Sequence, residues 1–377
     1  MRISTTSCAG CQVRRTPTST MSDDIPTRTS EAWREYRGLC HTVAAAYRAT
    51  PEPRLHTWAE NISTCALSVA YAFEHSDTGQ WRRKLASARL CRVRSCPVCQ
   101  WRRSLRVSQQ IDNVIRKRYD GDCDVIPLML TLTMKNCAVD ELKTSIKKML
   151  DGWSRLRKRE IFVQGVDMWV RSIEVTPGQA GPSSMEAHPH IHVLLMAHRA
   201  YAPSLLDGAA MSRLWRDCLR VDYCPQVDIR EIDGYRGIAE VCKYSTKPMT
   251  DAIASGWYGQ VALQLHGIRL LACTQGIRIS DDMSDDAADD DIDPDRDAPP
   301  RDIAAMPQDG RPIVVVYGWS GQRRQYYRKC VYVGMSAAQY REWLRVQQWG
   351  LYRHEHHPRA RAPDCGLDAD MITYHIQ

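Results

Sequence analysis

The sequence predicts an α+β protein with an antiparallel or mixed central sheet, helices packed on one face, and a small cysteine-rich module beside it. Three observations lead there. From about residue 125 to 275, strand-like blocks alternate with helix-like blocks in the order β-α-β-β-α-β-α. Two adjacent strands in the middle exclude a pure βαβ wrap. Residues 56–110 differ in kind, being rich in Cys, Arg and Trp. At 377 residues, 44% hydrophobic and 25% charged, the chain has the size and composition of a soluble protein of two or more domains.

In chain order, residues 1–55 are rich in Thr, Ser, Arg and Pro and read as a mostly disordered leader with a short helix at 31–48. Residues 56–110 form the basic, metal-binding module and 111–275 the main domain. Within it, 125–134 is apolar and β-branched enough for a buried strand. Leu142, Ile146, Met149, Leu150, Trp153 and Leu156 give 139–157 one apolar helix face. Strands at 168–176 and 190–197 flank a Pro/Gly/Ser loop that permits a hairpin. A second helix fits 203–220, a strand 226–232, and a third helix 236–247, stopped by Pro248. Residues 276–311 are an acidic linker. Residues 312–377 begin with a β-hairpin turning at Ser320-Gly321, which either extends the main sheet or forms a small one, and end in a disordered tail.

The net charge of +7 is an average of unlike parts. Residues 281–297 hold ten Asp and one Arg, so the other residues carry 50 Lys+Arg against 34 Asp+Glu, or +16. With 41 Arg and ten Lys, the cations are mostly planar forks suited to phosphate. A polyanionic partner is the first expectation; a coding bias toward Arg is the alternative. No run of 18 apolar residues and no apolar signal core are present, so a cytoplasmic protein without membrane contact is expected.

In a reduced compartment, close-set cysteines are more often metal ligands than disulfides. Cys91-x4-Cys96-Pro-x-Cys99 places three thiolates on a tight turn, where they can meet one tetrahedral zinc at about 2.3 Å. Cys65 is the nearest upstream cysteine and completes a four-cysteine structural site. The Cys8/Cys11 pair lacks a partner pair and reads as chance. Arg92, Arg94, Arg102 and Arg103 surround the cluster, with Trp81 and Trp101 interleaved. Cations with aromatic platforms suit a nucleic-acid backbone and unstacked bases, or equally a solvated face over core tryptophans.

The run His188-Pro-His190-Ile-His192 puts His190 and His192 on one face of a strand, about 7 Å apart, where they can hold one divalent ion. Glu174 on the facing strand or His188 supplies a further ligand. On the third helix, Glu240, Tyr244 and Lys247 share one stripe at i, i+4 and i+7, with Lys243 beside Tyr244. A phenol with a pKa of about 10 is a poor nucleophile unless cations or a metal-bound electrophile stabilise the phenolate. Taken alone, that stripe is also ordinary helix-surface chemistry.

These pieces in this order, with Leu130-Thr-Leu-Thr-Met-Lys-Asn136 between the cysteines and the histidines, resemble the plasmid rolling-circle replication initiators of the single-tyrosine His-hydrophobic-His (HUH) endonucleases. The resemblance covers roughly residues 55–275. It implies a ferredoxin-like or RRM-like endonuclease domain at 111–275 and catalytic Mg²⁺ or Mn²⁺ at His190 and His192, with Zn²⁺ at the cysteines remaining structural. It implies that Tyr244 attacks a phosphate in single-stranded or hairpin DNA at an origin, leaving a 5′-phosphotyrosine and a 3′-OH. It further implies Glu240 as general base in the terminating cleavage, a salt bridge to Lys243 or Lys247 being the plain alternative, and a prokaryotic host supplying helicase and polymerase. Glu174 is preferred over His188 as third ligand because Pro189 is expected to end the strand. A zinc-dependent DNA-binding regulator without nuclease activity and a hydrolase using the His-x-His pair are the rival readings. The acidic run stands as a solubilising linker or as a DNA mimic.

Overall fold

The computed structural model describes residues 27–75, 81–119, 121–232, 250–275 and 310–345, with single positions 79, 238, 277 and 279. Its elements are α1 (Thr27–Arg48), α2 (Pro53–Ser63), β1 (Ser68–His75), β2 (Trp81–Ala88), α3 (Pro97–Tyr119), β3 (Val125–Thr133), β4 (Cys137–Ala138), α4 (Leu142–Leu156), α5 (Glu160–Gly165), β5 (Val166–Pro177), β6 (Glu186–His198), α6 (Ala202–Leu205), α7 (Gly208–Leu219), β7 (Val227–Glu231), α8 (Thr250–Ala254), α9 (Trp257–Leu265), β8 (Leu271–Cys273), β9 (Ile313–Ser320) and β10 (Gln325–Val333). They divide into two compact units, one on a six-stranded sheet and one on a four-stranded sheet.

In the first, the strands run β7-β3-β6-β5-β8, with β4 paired to β6 off that path. Every pairing is antiparallel. Numbered by themselves, β3, β5, β6 and β7 lie in the order fourth, first, third, second, with α4 and α7 as crossovers. That is the split βαβ of ferredoxin-like folds. Leu128, Leu130 and Leu132 with Ile191, Val193 and Leu195 bury one face, and α4 packs on β6 and on α7.

Gly152 marks the closest approach of those two helices: a Cβ there would lie 2.9 Å from the Trp215 ring. Alanine ordinarily favours a helix over glycine by ~1 kcal/mol, but overpacking costs about 1–3 kcal/mol. We expect Gly152→Ala to lower the urea midpoint, and a raised midpoint would refute this packing argument.

The second face departs from the expectation of helices on one side only. Val107 and Ile111 of α3 pack against Met129, Met168, Val170, Leu194 and Met196, with Val114 and Ile115 alongside. The Arg and Gln content of 97–119 masks this stripe at i, i+4, i+7 and i+8.

The four-stranded sheet has the order β10-β9-β1-β2, all antiparallel. The β9–β10 hairpin turns over 321–324, just past the Ser320-Gly321 step expected from sequence, and it forms a sheet separate from the larger one by pairing with β1. Ala70, Ala72, Ala86, Val314, Val316, Ala337 and Tyr340 form a core on it. The Trp33 indole donates to the Tyr71 hydroxyl at 2.6 Å, and the Tyr326 hydroxyl to the Ala66 carbonyl at 2.6 Å.

Two boundaries are thereby corrected. Residues 68–88 are strands of this sheet, so 56–110 is not a self-contained module: β1 needs β9 to complete its ladder. The leader expected over 1–55 holds the helix placed at 31–48, which runs from Thr27 to Arg48, and a second helix from Pro53 to Ser63 that was not expected. Trp33, Arg37, Cys40, Ala44 and Tyr47 are buried at the spacing of one helix face, a stripe too interrupted by Arg and Thr to stand out in composition. The Asp-rich run 281–297 and the tail after 345 lie outside the described residues, as does the Cys8/Cys11 pair. No helix among the described residues is long and apolar enough to cross a membrane.

Candidate active site and metal-binding cysteines

Strand β6 lies between β3 and β5, so its side chains are framed from both sides. His190 stands opposite Thr133 and Glu174, and His192 opposite Thr131 and Ser172. His192 is 5% exposed. Its Nε2–H donates to Glu174 Oε2 at 2.7 Å, since an ionised carboxylate only accepts. Nδ1 lies within hydrogen-bond reach of the Thr131 hydroxyl, at 3.2 Å. The ring is held at both nitrogens. Thr131 escaped the sequence reading, although its alternation with Leu130 and Leu132 was the available signal.

His188 joins this face, contrary to the expectation that Pro189 ends the strand. Strand β6 runs unbroken from Glu186 to His198. Pairing with β3 stops at His190 and pairing with β4 starts at Ala187, so the missing N–H of Pro189 breaks no ladder bond on that side. The His188 and His190 ring centroids are 4.6 Å apart, and those of His190 and His192 are 5.6 Å apart. Burial pushes the His188 imidazole below its ordinary pKa, which favours the neutral, ligating form. Its Nδ1 is buried with no hydrogen-bond partner among the described residues. Imidazole and carboxylate donors on one face suit a divalent cation, although His190, His192 and Glu174 do not converge within 4.8 Å as the cysteines do.

Glu240, Lys243, Tyr244 and Lys247 lie outside the described residues. Ile238, just before them in sequence, is helical and buried against Met129, Leu194 and Met196. Those residues alternate in step with Thr131 and His192, so Ile238 packs on the histidine face of the sheet.

The second constellation is the cysteines. The sulfurs of Cys65, Cys91, Cys96 and Cys99 all lie within 4.8 Å of one another, so this cluster can hold a metal ion. Arg92, at φ +60°, turns the chain so that its N–H donates to Cys99 Sγ at 3.3 Å, the kind of outer contact that orients a thiolate ligand. Pro97 opens α3, and Cys99 sits in its first turn. A fifth sulfur was not anticipated: Cys40 Sγ lies 3.5 Å from Cys96 Sγ. It belongs to the buried stripe of α1, and only that periodicity could have pointed to it.

The arginines separate by burial. Arg92 and Arg94 are exposed and Arg103 is half-buried. Arg102, expected at a nucleic-acid face, is 3% exposed with its guanidinium over the Trp101 ring. Burial makes it a packing residue, because the helix turns it inward one position before Arg103 turns out.

Residues 82–327 match the replication protein family. The chain belongs to that family. The matched stretch takes in Cys91, Cys96, Cys99, the three histidines of β6 and residues 240–247, and begins after Cys65. Similar proteins are the "Protein rep" of Streptococcus pneumoniae, 34% identical over 206 residues, which is 51% of this chain and 61% of the relative, and that of Bacillus amyloliquefaciens, 32% identical over 223 residues, 57% and 63%. A third, from a Bacillus species, is 30% identical over 200 residues, 53% and 61%. The chain thus spans less than two thirds of the length of these relatives. No solved structure matches the chain.

Proposed function

We propose that the chain initiates rolling-circle replication of a plasmid by nicking single-stranded or hairpin DNA at the origin and transferring the strand through a covalent tyrosine intermediate. The observation that carries this reading is the β6 face, where His188, His190, His192 and Glu174 stand together in a member of the replication protein family. His190, His192 and Glu174 would hold Mg²⁺ or Mn²⁺, the ion taking the place of the proton shared between His192 Nε2 and Glu174 Oε2, with His188 as a fourth donor within reach. Bound there, the ion supplies positive charge to a phosphate oxygen as negative charge develops on it.

The chain's own residues supply the rest. Tyr244 Oη gives up its proton and attacks the phosphorus; its bond to phosphorus forms as the bond to the 3′ oxygen breaks, and that oxygen takes up a proton to leave as the 3′-OH, so the step is proton-neutral. Lys243 and Lys247 offset the charge of the phenolate and of the phosphate. The 5′-phosphotyrosine keeps the energy of the phosphodiester, so rejoining needs no ATP. Glu240 accepts a proton from water in the terminating cleavage. Zinc at Cys65, Cys91, Cys96 and Cys99 is structural, and Arg92, Arg94 and Arg103 grip the strand beside it. Helicase and polymerase come from the host.

His192 touches both Glu174 and Thr131, so its loss is the direct test. His192→Ala is expected to lower nicking of an origin strand in Mn²⁺ by about 10²-fold or more while binding of uncut DNA holds, as removal of a catalytic charge stabiliser does. Nicking at the wild-type rate in both His190→Ala and His192→Ala would overturn the assignment of this face.

A further inference from the structure

Beside Cys91, within the unit of the six-stranded sheet, is a cavity of about 540 Å³ whose walls include Trp58, Arg92, Arg94, Gln100, Tyr258 and His266. Its volume is that of a small-molecule site. The Trp58 and His266 rings stack at 5.7 Å with an interplanar angle of 20°. Gln100 is 5% exposed. Its Nε2 donates to the Tyr258 hydroxyl at 2.8 Å, and that hydroxyl donates to the Ser95 carbonyl at 2.7 Å. This chain of donors fixes the amide with its nitrogen used and its oxygen left over. Oε1 is buried with no hydrogen-bond partner among the described residues, and a buried acceptor without a donor is costly to keep.

Gln100 Oε1 therefore lacks a donor, and the cavity offers a flat aromatic wall and two exposed cations at Arg92 and Arg94. We infer that it takes one unpaired nucleotide of a DNA strand, adenine foremost. The exocyclic amine donates to Gln100 Oε1, the ring stacks on the Trp58–His266 pair, and the phosphate meets Arg92 and Arg94. Thymine presents a carbonyl where adenine presents its amine, and two acceptors face to face repel. The inference rests on the reading of this chain as a protein that acts on a DNA strand. It adds a base-selective site whose walls include Cys91, one of the metal-binding cysteines.

The test measures binding of fluorescein-labelled dA20 and dT20 to the full chain in magnesium-free buffer without chelator, so that nothing is cut and the cysteine metal stays. The wild type should prefer dA20 by about fivefold or more. Trp58→Ala removes the wall, and Ala262→Phe fills the cavity from another lining position. Each should weaken dA20 about tenfold, the size of one stacked base, down to the level of dT20. Ala262→Phe should keep its metal content and melting temperature, so that the loss is not one of folding. Equal wild-type affinities, or a preference that survives both variants, would overturn the site. The adduct assay on an origin strand separates the two readings. A protein that forms the adduct without preferring dA20 loses the pocket and keeps the nicking, while one that prefers dA20 without an adduct keeps the pocket alone.

Discussion

Tyr244→Phe protein is expected to bind an origin strand as the wild type does and to form no covalent adduct with it. On a 3′-labelled oligonucleotide the wild type should give a protein-linked band that survives denaturant. In the variant that band should fall by on the order of 10³-fold or more, the scale on which losing a nucleophile acts. The physical ground is that the hydroxyl proposed as nucleophile is removed while the contacts that bind the strand stay. A metal-bound water would cut the strand but leave free ends. Cleavage at an undiminished rate in Tyr244→Phe therefore selects the hydrolase reading, and binding without cleavage in the wild type selects a DNA-binding regulator.

The second large effect concerns the cysteines. Cys96→Ser should reduce bound zinc from about one per chain to near zero, because a four-thiolate site closes the coordination sphere and does not survive the loss of a ligand. Structural zinc sites contribute folding free energy directly. Even a few kcal/mol of that would lower the melting temperature by roughly 10 °C at this domain size. Cys40→Ser is the control with the sharper meaning. Its sulfur is 3.5 Å from that of Cys96 but lies outside the mutually close set of four, so metal content should hold. Zinc retained at the wild-type level in Cys96→Ser, in protein that folds normally, would remove the four-cysteine site.

Much of the larger unit was legible because its strands and helices carry unmixed periods. The LMLTLT run alternates cleanly, and the ladder from Val125 to Thr133 follows it. The apolar positions of 142–156 mark α4 equally well. The His-x-His face followed from the same period of two, as did Glu174 on the facing strand. Reading Pro189 as a stop failed because a proline's cost depends on whether a neighbouring strand needs its N–H, and that is a property of the sheet. Arg102 was misplaced for a similar reason: along a helix that packs on two sides, charge alone does not say which arginines turn inward. The α1 helix was read but not its buried face, because the apolar positions are interrupted by Arg and Thr. The β1–β9 pairing went unread because it joins segments far apart in sequence, about which local patterning says nothing.

That pairing has a consequence for how the chain is made. Strand β1 lies between β2 and β9 in the finished sheet, and roughly 225 residues separate Ala88 from Ile313, an interval of about 10–45 s at common synthesis rates. During that time the newborn β1–β2 ribbon has one flank, from Ser68 to Phe73, without its backbone partner. An unpaired flank of that kind recruits strands from other molecules. Yield of soluble protein should therefore depend on how quickly the downstream hairpin arrives, so slow codons between the two segments would be felt as aggregation even though they alter no residue.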